Sequence, residues 1–356
     1  MRARSLRPVA LVLALVCAGC VSPEDIASRV HDLRVLGMQA EPPEYVMTDP
    51  VLLGVLAKVI GRQQIPEQQV QFLNTQIPTV RMRALVIDPQ GNGRPVHYRW
   101  TTCYYPESFR CEGTATEVVL GEGLVTNEEA AADFRLDFER VATIINIDSL
   151  KGLGGVPVQV TLRVWTDAQE MYATKRVVVT PPIKSLNLER LAELQRGGQP
   201  PDPAVLLAEF EKIKLPNKVA NTNPPAPWPL LEGLLLVPGE APEVKASPQP
   251  VFSAFPQREL QEEYVVPTFE GGVRTLQENW RYSWFSTLGY FRPQRTGGID
   301  PNTLEEEQQE AKLNLLPDDP AGEFRVWTVV RDGRGGENWT ERKLTFVPGG
   351  PAPSGR

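Results

Sequence analysis

Cysteine and histidine are the residue types in this sequence with the widest chemical repertoire, and the 356 residues include only four cysteines and two histidines. His31 and His97 lie far apart, and neither has a cysteine or a cluster of carboxylates beside it, so they do not supply a zinc ligand set. The sequence has no G-x-S-x-G elbow, no H-E-x-x-H motif, and no phosphate-loop or dinucleotide fingerprint. We therefore expect no enzymatic activity, no metal and no cofactor. A pair of glycosidase-type carboxylates is the one catalytic arrangement that a sequence cannot exclude.

The N-terminus carries a basic segment followed by an apolar run. Arg2, Arg4 and Arg7 precede eleven uncharged, mostly apolar residues from Val9 to Gly19, which is the layout of a secretory signal. A helix needs about 20 apolar residues to span a bilayer. The run is therefore predicted to be part of a signal peptide, residues 1–19, and not a membrane span.

The apolar run ends in the letters CAGC, which resemble the bacterial lipobox. Small Ala18 and Gly19 fit a narrow peptidase site and Cys20 supplies a thiol, whereas Cys17 departs from the family pattern, which prefers leucine there. The resemblance implies that Cys20 becomes the first residue, with diacylglycerol on its sulfur and a third acyl chain on its amine. Two or more acyl chains anchor a protein stably. The competing interpretation is ordinary cleavage after Ala18 or Gly19, which would release a soluble periplasmic protein.

The residues after the lipid site bear on the choice of membrane. Val21 and Ser22 lack the acidic residue that retains many lipoproteins in the inner membrane. The rule known for enteric bacteria therefore predicts a lipid-anchored protein of the cell envelope in the outer membrane. Which face of that membrane the protein occupies is left open.

Charge narrows the choice of partners. Without the signal peptide the chain has 34 basic and 44 acidic residues, a net charge of about −10. Such a chain repels phosphate backbones, and no lysine and arginine cluster with interleaved aromatic residues reverses that repulsion locally. Nucleic acid is excluded as a partner. The expected partners are the membrane, through the N-terminal lipid, and an envelope protein or polysaccharide.

The two remaining cysteines, Cys103 and Cys111, are predicted to form a disulfide. They lie close together in an exported chain, where paired thiols oxidise. A metal site is the competing interpretation, but two cysteines without nearby histidines give too few ligands for zinc.

Turn residues and recurring signatures predict the fold class. The 34 prolines and 28 glycines favour many short strands joined by turns. Two signatures recur in the same order: YRW at Tyr98–Trp100 and RVWT at Arg163–Thr166, then YSW at Tyr282–Trp284 and RVWT at Arg325–Thr328. The recurrence predicts two homologous antiparallel β-sandwiches that differ in their loop insertions, with no long helices between the strands.

Helices are expected only at the margins of these sandwiches. Residues 22–33 have capping signals and are predicted to be a short helix, and residues 183–226 combine two amphipathic helices with a Pro- and Asn-rich connector. Residues 305–312 are interpreted as a solvated helical turn. The predicted organisation is a signal peptide at 1–19, a lipidated tether and short helix at 20–34, a first sandwich at 35–182, a helical and Pro-rich linker at 183–226, a second sandwich at 227–348 and a flexible tail at 349–356.

Two segments of the second sandwich have competing interpretations. Trp280, Tyr282 and Trp284 lie on one side of a strand, where they form either a sandwich core or a platform for a glycan. The core is favoured because a sandwich commonly buries one tryptophan on its third strand. Asp332 and Glu337 flank a glycine-rich stretch, which is interpreted as a hairpin turn in preference to a calcium site.

Four segments behind the lipobox together resemble cell-envelope lipoproteins of myxobacterial type: LRVLGMQAEPPE, RALVIDPQG, YRWTTC and FRVWTVVRDGRGGENWTER. The Y-x-W strand and the valine-containing strand before the glycine turn also resemble PKD-type and other immunoglobulin-like modules. The resemblance implies a mainly β protein with two immunoglobulin-like antiparallel sandwiches, short inter-domain helices and an N-terminal lipoprotein signal peptide. It carries over no functional residue except Cys20.

The expected function is noncatalytic. The sandwiches would serve as a structural or protein-interaction module, and the lipid would raise the effective concentration of any envelope partner. The alternative is a glycan-binding envelope protein. A carbohydrate-active enzyme is a more distant alternative, because it would require two carboxylates about 5 to 10 Å apart in a cleft.

Overall fold

The computed structural model describes residues 27–59, 61–103, 110–148, 155–181, 220–255, 257–267, 273–299, 305 and 308–348. Of the described residues, 47% lie in strands and 13% in helices, so the predicted mainly β fold is confirmed. The signal peptide, Cys20 and both predicted linker helices lie outside the described residues. No helix within the described ranges is long and apolar enough to cross a membrane.

Within the described residues, the first sandwich has eight strands and three helices. In chain order these are β1 (Arg34–Glu41), β2 (Glu44–Val46), α1 (Asp49–Val59), α2 (Glu67–Thr75), β3 (Thr79–Ile87), β4 (His97–Cys103), β5 (Val118–Leu124), β6 (Glu129–Arg135), α3 (Phe138–Ile147), β7 (Val156–Trp165) and β8 (Glu170–Thr180). One sheet has the order β1-β3-β6, and the other has the order β2-β8-β7-β4-β5. All neighbours are antiparallel except β2, which pairs with β8 in parallel. The chain passes from one sheet to the other between β1 and β2, where the sequence has its EPPE turn signal.

The three helices of the first sandwich correct the prediction that its strands follow one another without helices. In α3, Asp137 accepts a hydrogen bond from the backbone N–H of Arg140 at 2.7 Å, and the buried residues follow helical spacing. In α1 the buried residues cover most of the helix surface. An apolar run of this kind cannot be assigned to a helix or a strand by periodicity, so the sequence pattern alone was not decisive there.

The second sandwich has twelve strands within the described residues, most of them short. They are β9 (Pro229–Leu231), β10 (Leu234–Leu235), β11 (Glu243–Val244), β12 (Val251–Ala254), β13 (Glu263–Pro267), β14 (Val273–Gln277), β15 (Arg281–Ser286), β16 (Tyr290–Arg292), β17 (Arg295–Thr296), β18 (Glu310–Asn314), β19 (Gly322–Arg331) and β20 (Glu337–Phe346). The two large sheets have the orders β10-β9-β12-β18-β16 and β11-β20-β19-β15-β17, and β13 and β14 form a separate hairpin. A short 3₁₀ turn covers Arg258–Leu260.

Both sandwiches have the strand order of the immunoglobulin fold. In the second, β9, β12, β18 and β16 correspond to strands A, B, E and D of one sheet, while β20, β19 and β15 correspond to G, F and C of the other. In the first, β1, β3 and β6 correspond to A, B and E, and β8, β7 and β4 to G, F and C. Each core is closed by a tryptophan on strand C, Trp100 in one sandwich and Trp284 in the other, both completely buried.

The recurring signatures lie on equivalent strands, but only the first is in register. Trp100 pairs with Leu162 on strand F, and Trp284 pairs with Thr328. Trp165 therefore lies three residues after Leu162, the partner of Trp100. Trp327 instead lies one residue before Thr328, the partner of Trp284. The Y-x-W recurrence marks the same place in both sandwiches, while the RVWT match is displaced by four residues.

The helix predicted over residues 22–33 ends earlier than expected, because Ala27 is helical and the residues from Arg29 onward are not. The helical turn predicted over residues 305–312 is wrong where the structure describes it. Residues 29–33 are not helical, because Val30 and Leu33 are buried in two different apolar clusters, and Arg29 forms an isolated bridge with Ser286. Residues 310–312 belong to strand β18, in which buried Ala311 alternates with exposed neighbours.

The predicted disulfide is confirmed: Cys103 and Cys111 are joined, with Cα atoms 5.3 Å apart. It ties the end of β4 to the segment before β5, at a position where both half-cystines are buried. A buried covalent link here restricts the unfolded chain as well as the folded loop.

Replacing both cysteines with serine is expected to lower the free energy of unfolding by about 2 to 3 kcal/mol, because the closed loop is short. Urea unfolding without reductant measures the change. Reductant should cause a similar loss in the wild type and none in the double variant. An unchanged midpoint in the double variant would contradict the expected contribution.

Candidate functional site

The two sandwiches pack against each other through a small apolar cluster. The outer face of the G-F-C sheet of the second sandwich contributes Trp327 and Val329, and the A-B-E sheet of the first contributes Leu36, Leu85 and Ile87. All five are buried, and Trp327 is completely so. Gly37 gives Trp339 room, since a Cβ atom at this glycine would lie 3.0 Å from the indole ring. This cluster makes the sandwiches one packed body.

Arg334, on the β19–β20 turn, adds ion pairs to this contact, and its side chain is only 11% exposed. The guanidinium of Arg334 lies 3.3 Å from Glu44 of the first sandwich, 3.0 Å from Glu262 and 3.2 Å from Glu278, and it stacks 4.3 Å above the ring of Tyr264. Glu44 and Glu278 are almost fully buried. Their charges are stabilised because each also accepts further hydrogen bonds, Glu44 from the backbone N–H of Asn221 and Glu278 from the indole N–H of Trp280.

The turn that carries Arg334 is a hairpin, as the sequence pattern favoured. Asp332 lies inside it and accepts hydrogen bonds from Asn221 Nδ2 and from the backbone N–H groups of Arg334 and Gly336. Gly333 and Gly335 have φ of 80° and 110°, which favour glycine. Glu337 instead pairs with Lys175 of the first sandwich at 3.0 Å. The two carboxylates therefore serve the turn and the contact between the sandwiches, and no cluster of metal-ligand residues occurs in the described ranges.

Burial raises the pKa of both Glu278 and Asp332, although their hydrogen-bond donors lower it. A carboxyl with a raised pKa binds more protons in the folded than in the unfolded state between the two pKa values. Its contribution to stability therefore grows as the pH falls through that window and declines as the pH rises.

A Glu278→Gln variant tests this sign, because glutamine does not titrate. The free energy of unfolding of the wild type minus that of the variant is expected to increase as the pH falls from neutrality towards the ordinary pKa of a glutamate. Urea titrations at several pH values measure this difference, with Glu323→Gln, at an exposed position, as the control for the loss of one charge. A difference that shrinks on acidification would contradict the raised pKa.

The corresponding outer face of the first sandwich is not covered by the second. We call it the open face and define it by Arg99, Arg163, Trp165 and Tyr172, together with Glu112 beside them. Side chains alternate between the two sides of this sheet along β4 and β7. Trp100, Leu162 and Val164 point into the core, so the residues between them lie on the open face. The open face is partly exposed along its length.

Aromatic rings and ion pairs alternate across the open face. The rings of His97 and Trp165 stack with centroids 5.5 Å apart, and Arg163 lies 4.7 Å from the Trp165 ring. Arg163 also contacts Glu112 at 3.0 Å, and the Tyr172 hydroxyl donates to the same carboxylate at 2.9 Å. Burial and this hydrogen bond raise the pKa of Tyr172. These groups hold one another in fixed orientations.

The chemistry of the open face suits recognition of polar groups. Guanidinium groups bind carboxylates in a defined geometry, and aromatic rings provide rigid contact area at low entropic cost. Glu112 and Glu170 both contact Arg163 on this sheet surface. The disulfide lies beside this face, since Glu112 directly follows Cys111.

The favoured core position of Trp280, Tyr282 and Trp284 is confirmed, and the alternative of a glycan platform on this strand is wrong. Trp280, Tyr282 and Trp284 are only 3%, 9% and 0% exposed and belong to the core of the second sandwich. A shallow cleft of about 230 Å³ nevertheless reaches the edges of Trp280 and Tyr282, and its remaining walls are mostly polar. Burial raises the pKa of Tyr282 to about 12.

The structure brings together residues that the sequence pattern did not single out. Arg163 and Tyr172 were missed on the open face, although alternation in two adjacent strands places them on the side opposite the core. Arg334 and Glu44 were missed because no local pattern joins two residues so far apart in the chain. His31 is half-buried just before strand β1, where burial and the charge of Arg29 lower its pKa. Cys20 lies outside the described residues.

No protein-family model matches the chain, and no curated protein matches it in sequence. Similar solved structures include red sea bream transglutaminase, at 8% identity over 90% of this chain and 32% of that one, with a TM-score of 0.22. Dimeric latent PorU from Porphyromonas gingivalis is 10% identical over 91% of this chain and 25% of its own, with a TM-score of 0.20. A chimeric titin Z1Z2 is 9% identical over 77% and 89%, with a TM-score of 0.16.

The chain spans about a third of the transglutaminase and a quarter of PorU. At TM-scores this low, the similarity assigns the activity of neither protein to this chain. The immunoglobulin-like assignment rests on the strand order of the two sandwiches.

Proposed function

We propose that the protein is a lipid-anchored, noncatalytic component of the bacterial cell envelope that presents an interaction surface to an envelope partner. The observation that carries this proposal is the basic and apolar N-terminal segment ending at Cys20, which has the layout of a lipoprotein signal. The remaining chain then belongs to an oxidising compartment, in keeping with the Cys103–Cys111 disulfide.

The packed sandwiches support a role in presentation. Trp327 and Arg334 join them through apolar and charged contacts, so the open face keeps a fixed position relative to the second sandwich. A fixed surface loses less entropy on binding than a mobile one. Anchoring to a membrane in addition raises the effective concentration of any partner held in the same envelope. We propose the outer membrane as the location, on the basis of Val21 and Ser22.

The anchor is tested by comparing Cys20→Ser with Cys17→Ser, a matched control in the signal peptide. In a bacterial host, the wild type and Cys17→Ser are expected to enter the detergent phase after Triton X-114 partitioning, because acyl chains remain on Cys20. Cys20→Ser is expected in the aqueous phase or as an unprocessed precursor. Equal partitioning of all three proteins into the aqueous phase would contradict the proposal.

The interaction surface is tested with Trp165→Ala and Arg163→Glu in the anchored protein. In-cell cross-linking from a photoreactive residue at position 174 is expected to give adducts that both substitutions reduce. Thr174 lies on the exposed side of β8. Lys343→Glu, at an exposed position of the second sandwich, is the control. Adducts that remain unchanged in both variants would exclude the open face as the contact.

Glycan binding is a second candidate, favoured by the polar cleft beside Trp280 and Tyr282. Amide and guanidinium side chains of Gln261, Asn279 and Arg258 line it and match the hydrogen-bonding groups of a sugar. Isothermal titration with envelope polysaccharide fragments tests this candidate. Heat that is lost in a Gln261→Ala variant would support it, and absence of heat in the wild type would exclude it for those fragments.

A further inference from the structure

The N-terminal end of the described chain is fixed to the second sandwich, although the first sandwich follows it in sequence. The backbone N–H of Val30 donates to the Ser286 carbonyl at 2.7 Å, and the N–H of Ser286 donates to the Ser28 carbonyl at 2.9 Å. Ser28 is completely buried, and its hydroxyl accepts a hydrogen bond from the N–H of Phe291 at 2.8 Å. The described chain therefore begins beside the turn between β15 and β16.

An ion pair holds the same segment in place. Arg29 contacts Asp319 at 2.8 Å, and the Asp319 side chain is completely buried. Removing one partner of a buried pair is strongly destabilising, so this contact resists detachment of the segment. Ala27, where the described chain begins, is thus held at this end of the second sandwich, and we call it the exit point.

The segment between this exit point and the lipid site is short. Seven peptide bonds join Cys20 to Ala27, so even a fully extended chain spans at most about 25 Å. If Cys20 carries lipid, as the proposed function requires, the end of the protein around Ala27 must lie next to the bilayer. We call this the tether end.

Turns of both sandwiches lie at the tether end. Strand β1 begins here at Arg34, paired with Ile87 at the end of β3, so the turn after Ile87 is also at this end. The turn between β7 and β8 is held here too, because the Gln169 side chain accepts a hydrogen bond from the N–H of Leu33 at 3.1 Å. Cys103 lies at the opposite end of β4, paired with Gln159. The disulfide is therefore distant from the tether end.

An exposed apolar hairpin lies at the tether end of the second sandwich. Strand pairings across β9, β12, β18 and β16 place Gly233, at the tip of the β9–β10 hairpin, level with Phe291. Leu234 and Leu235 follow the tip on the outermost strand and are 75% and 49% exposed. Four strand spacings separate β10 from β16, about 19 Å. One bilayer surface can therefore meet the hairpin and the exit point together.

We propose that the protein lies with its tether end against the bilayer, with Leu234 and Leu235 in the lipid interface and the disulfide end held away from the membrane. An exposed apolar edge strand is unfavourable in water, and such strands commonly bind another apolar surface. The short tether holds this strand close to the bilayer. Burial of leucine side chains at the headgroup boundary is favourable, so the bilayer is the apolar surface that we assign to it. The orientation depends on the proposed lipid at Cys20.

The test uses a bimane fluorophore on a single free thiol in the acylated full-length protein. Leu235→Cys provides that thiol, because Cys20 would be lipidated and Cys103 and Cys111 are joined. The protein is reconstituted into phosphatidylethanolamine and phosphatidylglycerol vesicles with brominated acyl chains. Phe72→Cys is the matched control, since Phe72 is 53% exposed and lies on α2, which precedes the start of β3 at the far end.

Quenching by the brominated chains is expected to be several-fold stronger at position 235 than at position 72. Equal thermal unfolding of both variants and the wild type confirms that folding is intact. Absence of quenching at position 235, in protein whose mass shows the acyl chains, overturns the orientation while leaving the lipid anchor in place. A mass without acyl chains overturns the proposed function itself and the orientation that depends on it.

Discussion

Replacing Arg334 with methionine is expected to lower the free energy of unfolding by about 3 to 5 kcal/mol. The guanidinium is the shared partner of Glu44, Glu262 and Glu278, and two of these carboxylates are nearly inaccessible to water. Methionine keeps much of the apolar stem but removes the cation that these three carboxylates share. Urea unfolding followed by tryptophan fluorescence measures the loss.

Arg325→Met is the matched control for this effect. Arg325 also pairs across the two sandwiches, with Glu128 at 2.6 Å, but both side chains are partly exposed. Pairs of this kind contribute about 0 to 1 kcal/mol. An equal decrease in the free energy of unfolding in the two variants would show that the ion pairs of Arg334 contribute no more than an exposed pair. That result would contradict the role assigned to Arg334 in joining the sandwiches.

Replacing Trp327 with alanine is expected to cost about 3 to 5 kcal/mol, because it removes a completely buried indole from the cluster between the sandwiches. Since Trp327 lies outside both cores, its loss should also separate the unfolding of the two sandwiches into two transitions. Differential scanning calorimetry measures both effects. A single transition with an unchanged midpoint would contradict the packing of the sandwiches as one body.

Trp165→Ala is the natural comparison because Trp165 occupies the same place in the other RVWT signature. It lies on the open face, half-buried, against His97 and Arg163. Loss of these surface contacts is expected to cost about 1 kcal/mol or less. The two substitutions thus remove the same residue type from identical tetrapeptides with unequal effects on stability.

Some of the architecture follows from local patterns in the sequence. Alternation and turn residues predicted the β class, and the close spacing of Cys103 and Cys111 in an exported chain predicted their disulfide. The favoured core position of Trp284 is confirmed by its complete burial. These features depend on neighbours in the chain or on the two-residue period of a strand.

Other features required the three-dimensional arrangement. Helix α1 was missed because it is apolar around most of its surface. Residues 29–33 are not helical as predicted, because Val30 and Leu33 are buried in two different apolar clusters. The open face and the contact involving Trp327 lie on equivalent sheet surfaces. Only the packing of one sandwich against the other determines which of them stays exposed.

The most direct test of the lipid anchor is the intact mass of the mature protein extracted from bacterial membranes. We predict a chain that begins at Cys20 and carries a diacylglyceryl group, with a third acyl chain where the host adds one. The added mass should be absent from Cys20→Ser. A wild-type chain that begins at Gly19 or Cys20 without acyl groups would contradict the account and describe a secreted protein instead.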